Sequence, residues 1–289
     1  MGVIMALPVA IQLYSLREEM DKDFKGTLEK VKEMGYDGVE FAGLYDHKPE
    51  EIKAMVEELG LIPISAHVTT DDYICCDGGV DEVLDTYKTI GCKYVAIPYL
   101  VEERRPDGFK WRASDKYVGT YELMKEIAAG CKKRGMQLLY HNHDFEFKNK
   151  IDGKYMLEVL YDSFTPEELA SELDTCWVNI GGEIPAEYIK KFKNRAPVVH
   201  LKDFYMTGSL PAHLYALIGI DEEESEQAES TFEFRPVGHG MQDMPAILAS
   251  AIEAGAEWVV VEQDDPSEGT TPLECAAKSI KYLKEDLKW

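Results

Sequence analysis

Eight polar residues stand where otherwise apolar stretches of the chain end: Gln12, Glu40, His67, His141, His143, Asp174, His200 and Glu262. Imidazoles and carboxylates are the side chains that bind divalent ions and move protons near neutral pH. Asp174, His200 and Glu262 close three successive stretches. With one ligand from the stretch before them they form a mixed carboxylate–imidazole set suited to one divalent ion per chain, Mn²⁺, Mg²⁺, Co²⁺ or Zn²⁺. Cys176 is near in sequence but is not counted in this set. Singly, each residue has a plain structural explanation: His67 as a satisfied core histidine, Glu40 as a capping or ion-pairing carboxylate. Together they do not, because burying so many ionisable groups with neither metal nor substrate is costly.

The elements that must carry these residues follow one grammar. A helical stretch ends in glycine and an apolar, often β-branched run begins within a few residues. This occurs at Gly35 before Gly38 to Phe41, at Gly60 before Ile62 to His67, at Gly91 before Tyr94 to Ile97, at Gly135 before Gln137 to His141, and at Gly255 before Trp258 to Glu262. Glycine just beyond a helix takes the left-handed conformation that closes it. Short, nearly all-apolar runs read as strands buried on both faces of a parallel sheet. Val9 to Tyr14, Leu169 to Leu173 and Val198 to Leu201 complete eight strands. Helices are expected over 24–34, 49–59, 80–90, 116–134, 185–192, 244–254 and 272–287. Eight alternating units in 289 residues predict an α/β fold, a single (β/α)8 TIM barrel spanning 1–289. A doubly wound sheet is disfavoured, since no G-x-G-x-x-G turn is present and Gly181-Gly182 is a weak substitute.

Two polar insertions interrupt the repeat, near 100–115 and 203–237, the second with the acidic run Asp221 to Glu224, read as a solvated tip. Both follow strands and so fall on the face where barrel active sites are built. Lys and Arg number 31 against 54 Asp and Glu, a net charge of −23. That surplus, with no long basic stretch, argues against nucleic acid as a partner. No apolar run reaches transmembrane length and the N-terminus has no basic leader, so a cytoplasmic location without membrane partners is expected. The six cysteines show no C-x-x-C spacing and are expected to be reduced. A homo-oligomer is compatible with the acidic, loop-bearing surface.

The chain resembles the sugar isomerase/epimerase group of xylose-isomerase-like barrels, which includes inosose dehydratases, ketose 3-epimerases and dehydroshikimate dehydratases. The resemblance covers nearly the whole chain. It rests on Val9-Ala-Ile-Gln-Leu-Tyr-Ser-Leu-Arg17, Tyr140-His-Asn-His-Asp-Phe-Glu-Phe147, Glu172-Leu-Asp-Thr-Cys-Trp177, His200-Leu-Lys-Asp203, Gly238-His-Gly240 and Val261-Glu-Gln263. It implies metal ligands at Asp174, His200 and Glu262. The fifth strand departs from the pattern, with His141 where much of the family has Glu. Either His141 is the fourth ligand or Glu146 reaches back from beyond the strand; Glu146 is preferred because it restores a set with a single histidine. The resemblance places the catalytic base at His143, which strand alternation puts on the same face as His141.

The expected reaction is proton abstraction beside a carbonyl of a ketose, inosose or 3-keto-sugar, with the ion as Lewis acid. His143, or Glu146 or Glu262, would take the proton. The fate of the resulting enediolate decides between epimerisation, isomerisation and dehydration. Substrate oxygens would be held by Gln12, Glu40, His67, His141, Lys202, Arg235 and His239, and Phe109 and Trp111 could stack on a sugar ring. Two other readings stay open: a catalytically idle barrel that binds a polyol or a partner subunit, and, remotely, a DNA repair enzyme of the endonuclease IV type.

Overall fold

The computed structural model describes residues 6–112, 119–208 and 231–289. Its centre is eight short strands, β1 (Val9–Gln12), β2 (Gly38–Phe41), β3 (Ile62–Ala66), β4 (Tyr94–Ile97), β5 (Gln137–His141), β6 (Ala170–Asp174), β7 (Val198–Leu201) and β8 (Trp258–Val261). All pair in parallel, in the order 3-2-1-8-7-6-5-4. Between β3 and β4 the ring closes through one bridge, His67 with Ala96. There Val68 N–H donates to Ala96 O at 2.9 Å and Lys93 N–H to Ile64 O at 3.1 Å. This is a (β/α)8 barrel, as the alternating pattern predicts. No described helix is long and apolar enough to cross a membrane.

The helices end where the glycines stand. Gly35 and Gly60 take φ of 99° and 63°, which a side chain would strain, and donate back to Lys32 O and Glu57 O. Four strands differ from expectation at their boundaries; β3 and β8 stop one residue short, at Ala66 and Val261. β1 stops at Gln12 because its side chain accepts from Tyr14 N–H and turns Leu13–Leu16 into a 3-10 turn. β6 runs one residue further, so Asp174 is both its last residue and the cap of helix Thr175–Ile180.

The insertions are partly ordinary scaffold. Trp111 is buried against Tyr121 and Phe164, with ring centroids 5.8 and 6.4 Å away, so it belongs to the core and not to a sugar platform. Phe109 is 70% exposed and lines a separate surface cavity. In the second insertion, strand Asp203–Thr207 pairs antiparallel with Thr231–Arg235. The acidic run Asp221 to Glu224 and residues 116–118 of the expected helix lie outside the described residues; that helix is described over Thr120–Lys133.

Strand alternation divides the barrel interior into levels. Its lower level is apolar: Ala10, Ile64, Tyr94, Ala96, Leu139, Ala170, Val198 and Val260 form one cluster. Further along the strands the same face carries Gln12, Glu40, His141, Glu172 and His200, and toward the mouth Asp174, Lys202 and Glu262. All eight are buried. A barrel normally fills such positions with branched aliphatic side chains; here ionisable ones replace them.

Candidate active site

The middle level is a charged network in which His141 Nδ1, His200 Nε2 and Glu172 Oε1 are left without hydrogen-bond partners. Glu40 accepts from Gln12 Nε2 at 2.6 Å on one oxygen and from the Ser65 hydroxyl on the other. Its first oxygen also lies 2.9 Å from His200 Nε2 and 3.2 Å from His67 Nε2. Glu172 Oε2 meets three imidazole nitrogens: His67 Nε2 at 2.6 Å, His141 Nδ1 at 3.3 Å and His200 Nε2 at 3.4 Å. Burial opposes charge on Glu40, but the neighbouring His200 and His67 outweigh it and hold the carboxyl well below its usual range. Burial likewise works against a charged His67, yet Glu40 and Glu172 lift it to about 10.

The upper level is built differently. Asp174 Oδ1 accepts from Trp177 N–H at 2.9 Å, which uses that oxygen as a helix cap. Its Oδ2 is buried without a hydrogen-bond partner. It faces His141 Nε2 at 3.9 Å, and the same nitrogen lies 3.9 Å from Glu262 Oε2. Those separations are too long for hydrogen bonds. His200 Nδ1 stands 2.9 Å from Glu262 Oε2. One donor atom each from His141, Asp174, His200 and Glu262 falls within 4.8 Å of the others. An orphaned, buried carboxylate oxygen among two imidazoles and a second carboxylate fits a divalent ion. The Asn142 amide clasps the set from behind, accepting from Asp174 N–H at 3.0 Å and donating to Asp174 O at 3.3 Å.

Glu146 does not reach back to this group. Its carboxylate accepts from Tyr140 Oη at 2.5 Å and from His143 N–H at 2.8 Å, and burial pushes it up to about 8 despite the Tyr140 hydrogen bond. The carboxylate of Glu146 is thus engaged outside this group, and His141 is the strand-five residue whose ring stands within it. The reason is local: residues 145–148 turn into a short helix that folds Glu146 over the end of its own strand.

His143 is beside the upper level and lines the cavity. Its ring stacks on Phe145 at 5.1 Å and 3°, and Trp177 lies 5.1 Å away on a tilted plane. Burial, then the charge of Lys202, holds it well below the ordinary imidazole range, which favours the uncharged ring. Nδ1 has no hydrogen-bond partner. Lys202 is only 1% exposed, not a solvated rim lysine. Its Nζ lies 2.6 Å from Asp264 Oδ2, 3.3 Å from Glu262 Oε2 and 3.8 Å from Asp174 Oδ2, over the rings of Trp177 and Phe234. These carboxylates outweigh the burial that would discharge it and raise it above its usual value.

A cavity of about 350 Å³ opens above this level. His67, His141, His143, Lys202, Glu262 and Asp264 line its floor, with Tyr14, Asp72 and Tyr99 on the walls. Gln12 and Glu40 are not on its lining; the network below engages them. Arg235 and His239 are not brought to it either. They line a second cavity of about 390 Å³ with Lys278 and Tyr282, and Arg235 pairs with Glu233. The Gly238-His-Gly240 motif has a backbone purpose. Asp203 accepts from the N–H groups of Gly238, Gly240 and Gln242, and a Cβ at Gly240 would come within 2.2 Å of Asp203 Oδ1. Glu172, Asn142 and Asp264 are the site residues that strand-end reasoning missed. Glu172 was within reach of parity, two residues before Asp174 on one strand; Asp264 and Asn142 carry no comparable signal.

The sequence matches the xylose isomerase-like TIM barrel family over residues 28–286. Inosose dehydratase of Lacticaseibacillus casei is 21% identical over 275 residues, covering 90% of this chain and 88% of its own. A sugar phosphate isomerase/epimerase from Parabacteroides distasonis superposes with a TM-score of 0.73 at 24% identity, covering 98% of this chain and 96% of the other. The IolI protein, solved with a bound zinc atom, superposes at 0.65 with 17% identity over 96% and 97% of the two chains. Family match, barrel and strand-end chemistry coincide, and the chain belongs to the xylose isomerase-like TIM barrel family.

Proposed function

We propose that this protein is a divalent-metal-dependent sugar or polyol isomerase, epimerase or dehydratase that begins by removing a proton beside a carbonyl. The observation that carries the reading is Asp174 Oδ2, buried without a hydrogen-bond partner and facing His141, with the His143 imidazole, its Nδ1 likewise without a hydrogen-bond partner, beside it. His141, Asp174, His200 and Glu262 would hold the ion, whose contribution is to withdraw charge from substrate oxygens as the proton leaves. Relatives named inosose dehydratase and structural neighbours named sugar phosphate isomerase/epimerase support a substrate of this class.

The chain's own residues supply the rest. His143, fixed between Phe145 and Trp177, accepts the proton, a contribution of about 10²–10⁴ in rate. Lys202, pinned by Asp264, presents an ammonium to a substrate oxygen and stabilises charge as it develops there. The apolar walls around His143 keep water from the transferred proton. The test pairs metal content with proton exchange. Protein refilled with Mn²⁺, Co²⁺ or Zn²⁺ should retain one ion per chain and exchange the carbon-bound proton of a keto-sugar in D₂O. Asp174→Ala should lose the ion, and His143→Ala should keep it but lose the exchange. No retained ion under any refilling condition would overturn the proposal.

A further inference from the structure

The two levels of the floor share two residues, and they share them through opposite nitrogens. His141 turns Nε2 toward Asp174 and Glu262 and Nδ1 toward Glu172. His200 turns Nδ1 toward Glu262 and Nε2 toward Glu40 and Glu172. An imidazole that binds a metal through one nitrogen carries its proton on the other, and an oxygen that receives that proton fixes both tautomer and ring orientation. Below, His67 Nε2 stands 2.6 Å from Glu172 Oε2 and His200 Nε2 2.9 Å from Glu40; above, His200 Nδ1 stands 2.9 Å from Glu262 Oε2, whereas His141 Nε2 stands 3.9 Å from both carboxylates.

We propose that Glu172, together with Glu40, is a positioning residue for the metal centre: the carboxylates stand 3.3 Å from His141 Nδ1 and 2.9 Å from His200 Nε2, buried nitrogens with no hydrogen-bond partner in this structure, and would take up their N–H groups when the opposite nitrogens turn a lone pair to the ion. This rests on the metal site proposed above. The arrangement holds Glu172 itself in place, since His67 Nε2 donates to its Oε2 at 2.6 Å. Glu40 is held in turn by Gln12 Nε2 and the Ser65 hydroxyl. A role for Gln12, Ser65 and His67 emerges without any of them touching a substrate: they aim the carboxylates that aim the ligands. It also accounts for two acidic side chains buried in a barrel interior, a placement that costs free energy unless each is paired.

The test uses Co²⁺, whose visible absorption reports the geometry of its ligands, on the full chain and on the Glu172→Gln and Glu40→Gln variants. Co²⁺ affinity, read by competition with a chelator, should fall about ten- to hundredfold in each variant. The absorption band should shift while the circular dichroism of the metal-free protein stays unchanged, a combination that a purely structural role would not give. If Glu172→Gln does not fold, Glu40→Gln reads the same effect through His200. Unaltered affinity and band in the variants would overturn the positioning role and leave the metal site standing. Two ions in the parent chain and one in Glu172→Gln would also overturn it, by making Glu172 a ligand. A parent chain that binds no Co²⁺ would overturn the metal site and this inference with it.

Discussion

Replacing Glu146 by Gln separates the cost of a buried carboxylate from the worth of its hydrogen bonds. Burial raises Glu146 to about 8 from an ordinary 4.5, so the folded protein keeps a proton that the unfolded chain has released. Between these values unfolding releases a proton, and stability falls as pH rises, by about 1.4 kcal/mol per pH unit within the window. Across the whole span the penalty is about 5 kcal/mol, complete above the folded value and absent below pH 4.5. Glutamine resembles the protonated form, with its oxygen toward His143 N–H and its nitrogen toward Tyr140 Oη. Metal-free Glu146→Gln should therefore match the parent within about 1 kcal/mol at pH 5, since a hydrogen bond exchanged for a similar one is nearly neutral. At pH 9 it should be more stable by several kcal/mol. Denaturant unfolding of both proteins at pH 5, 7 and 9 measures the difference directly. A difference that stays constant from pH 5 to pH 9 would refute the assignment of a proton to Glu146 in the folded state.

Lys202→Met should destabilise the metal-free protein by about 3–5 kcal/mol, because Asp174, Glu262 and Asp264 lose their buried counter-charge. Added Mn²⁺ should restore part of the loss, visible as a larger thermal shift than in the parent. Trp111→Ala should cost about 3–5 kcal/mol in denaturant unfolding through the cavity it leaves beside Tyr121 and Phe164, with metal affinity unaltered; a weakened ion would place Trp111 at the site after all.

The barrel was legible because its punctuation is local. A glycine that closes a helix and the apolar run after it are properties of neighbouring residues, and they mark β2, β3, β4, β5 and β8 without reference to anything distant. Strand ends are equally local, which is why Asp174, His200, Glu262 and His143 stand at the cavity floor or beside it. Other features depend on what lies across space. Glu172 sits inside an apolar run and is recognised only when alternation is carried one step inward from Asp174. The family resemblance offers Glu146 as a ligand, but Tyr140 and the backbone of His143 capture its oxygens. Arg235 and His239 come after a strand in sequence, yet the hairpin of Asp203–Thr207 with Thr231–Arg235 carries them to another cavity. Asp264 becomes visible only through Lys202.

The closure of the ring between β3 and β4 has a dynamic consequence. Seven strand junctions are ladders of paired residues, whereas this one is a single bridge at His67 with a few flanking hydrogen bonds. Local opening starts where fewest bonds must break. Amide hydrogens along this seam, among them those of Val68 and Lys93, should exchange with solvent ahead of those in the ladders. His67 stands at the seam and also reaches Glu40 and Glu172, so each opening loosens the lower charged level while β5 to β8, which carry the proposed ligands, stay paired. The breathing of the barrel wall and the loss of imidazole alignment would thus be one event, with a rate that hydrogen exchange can read.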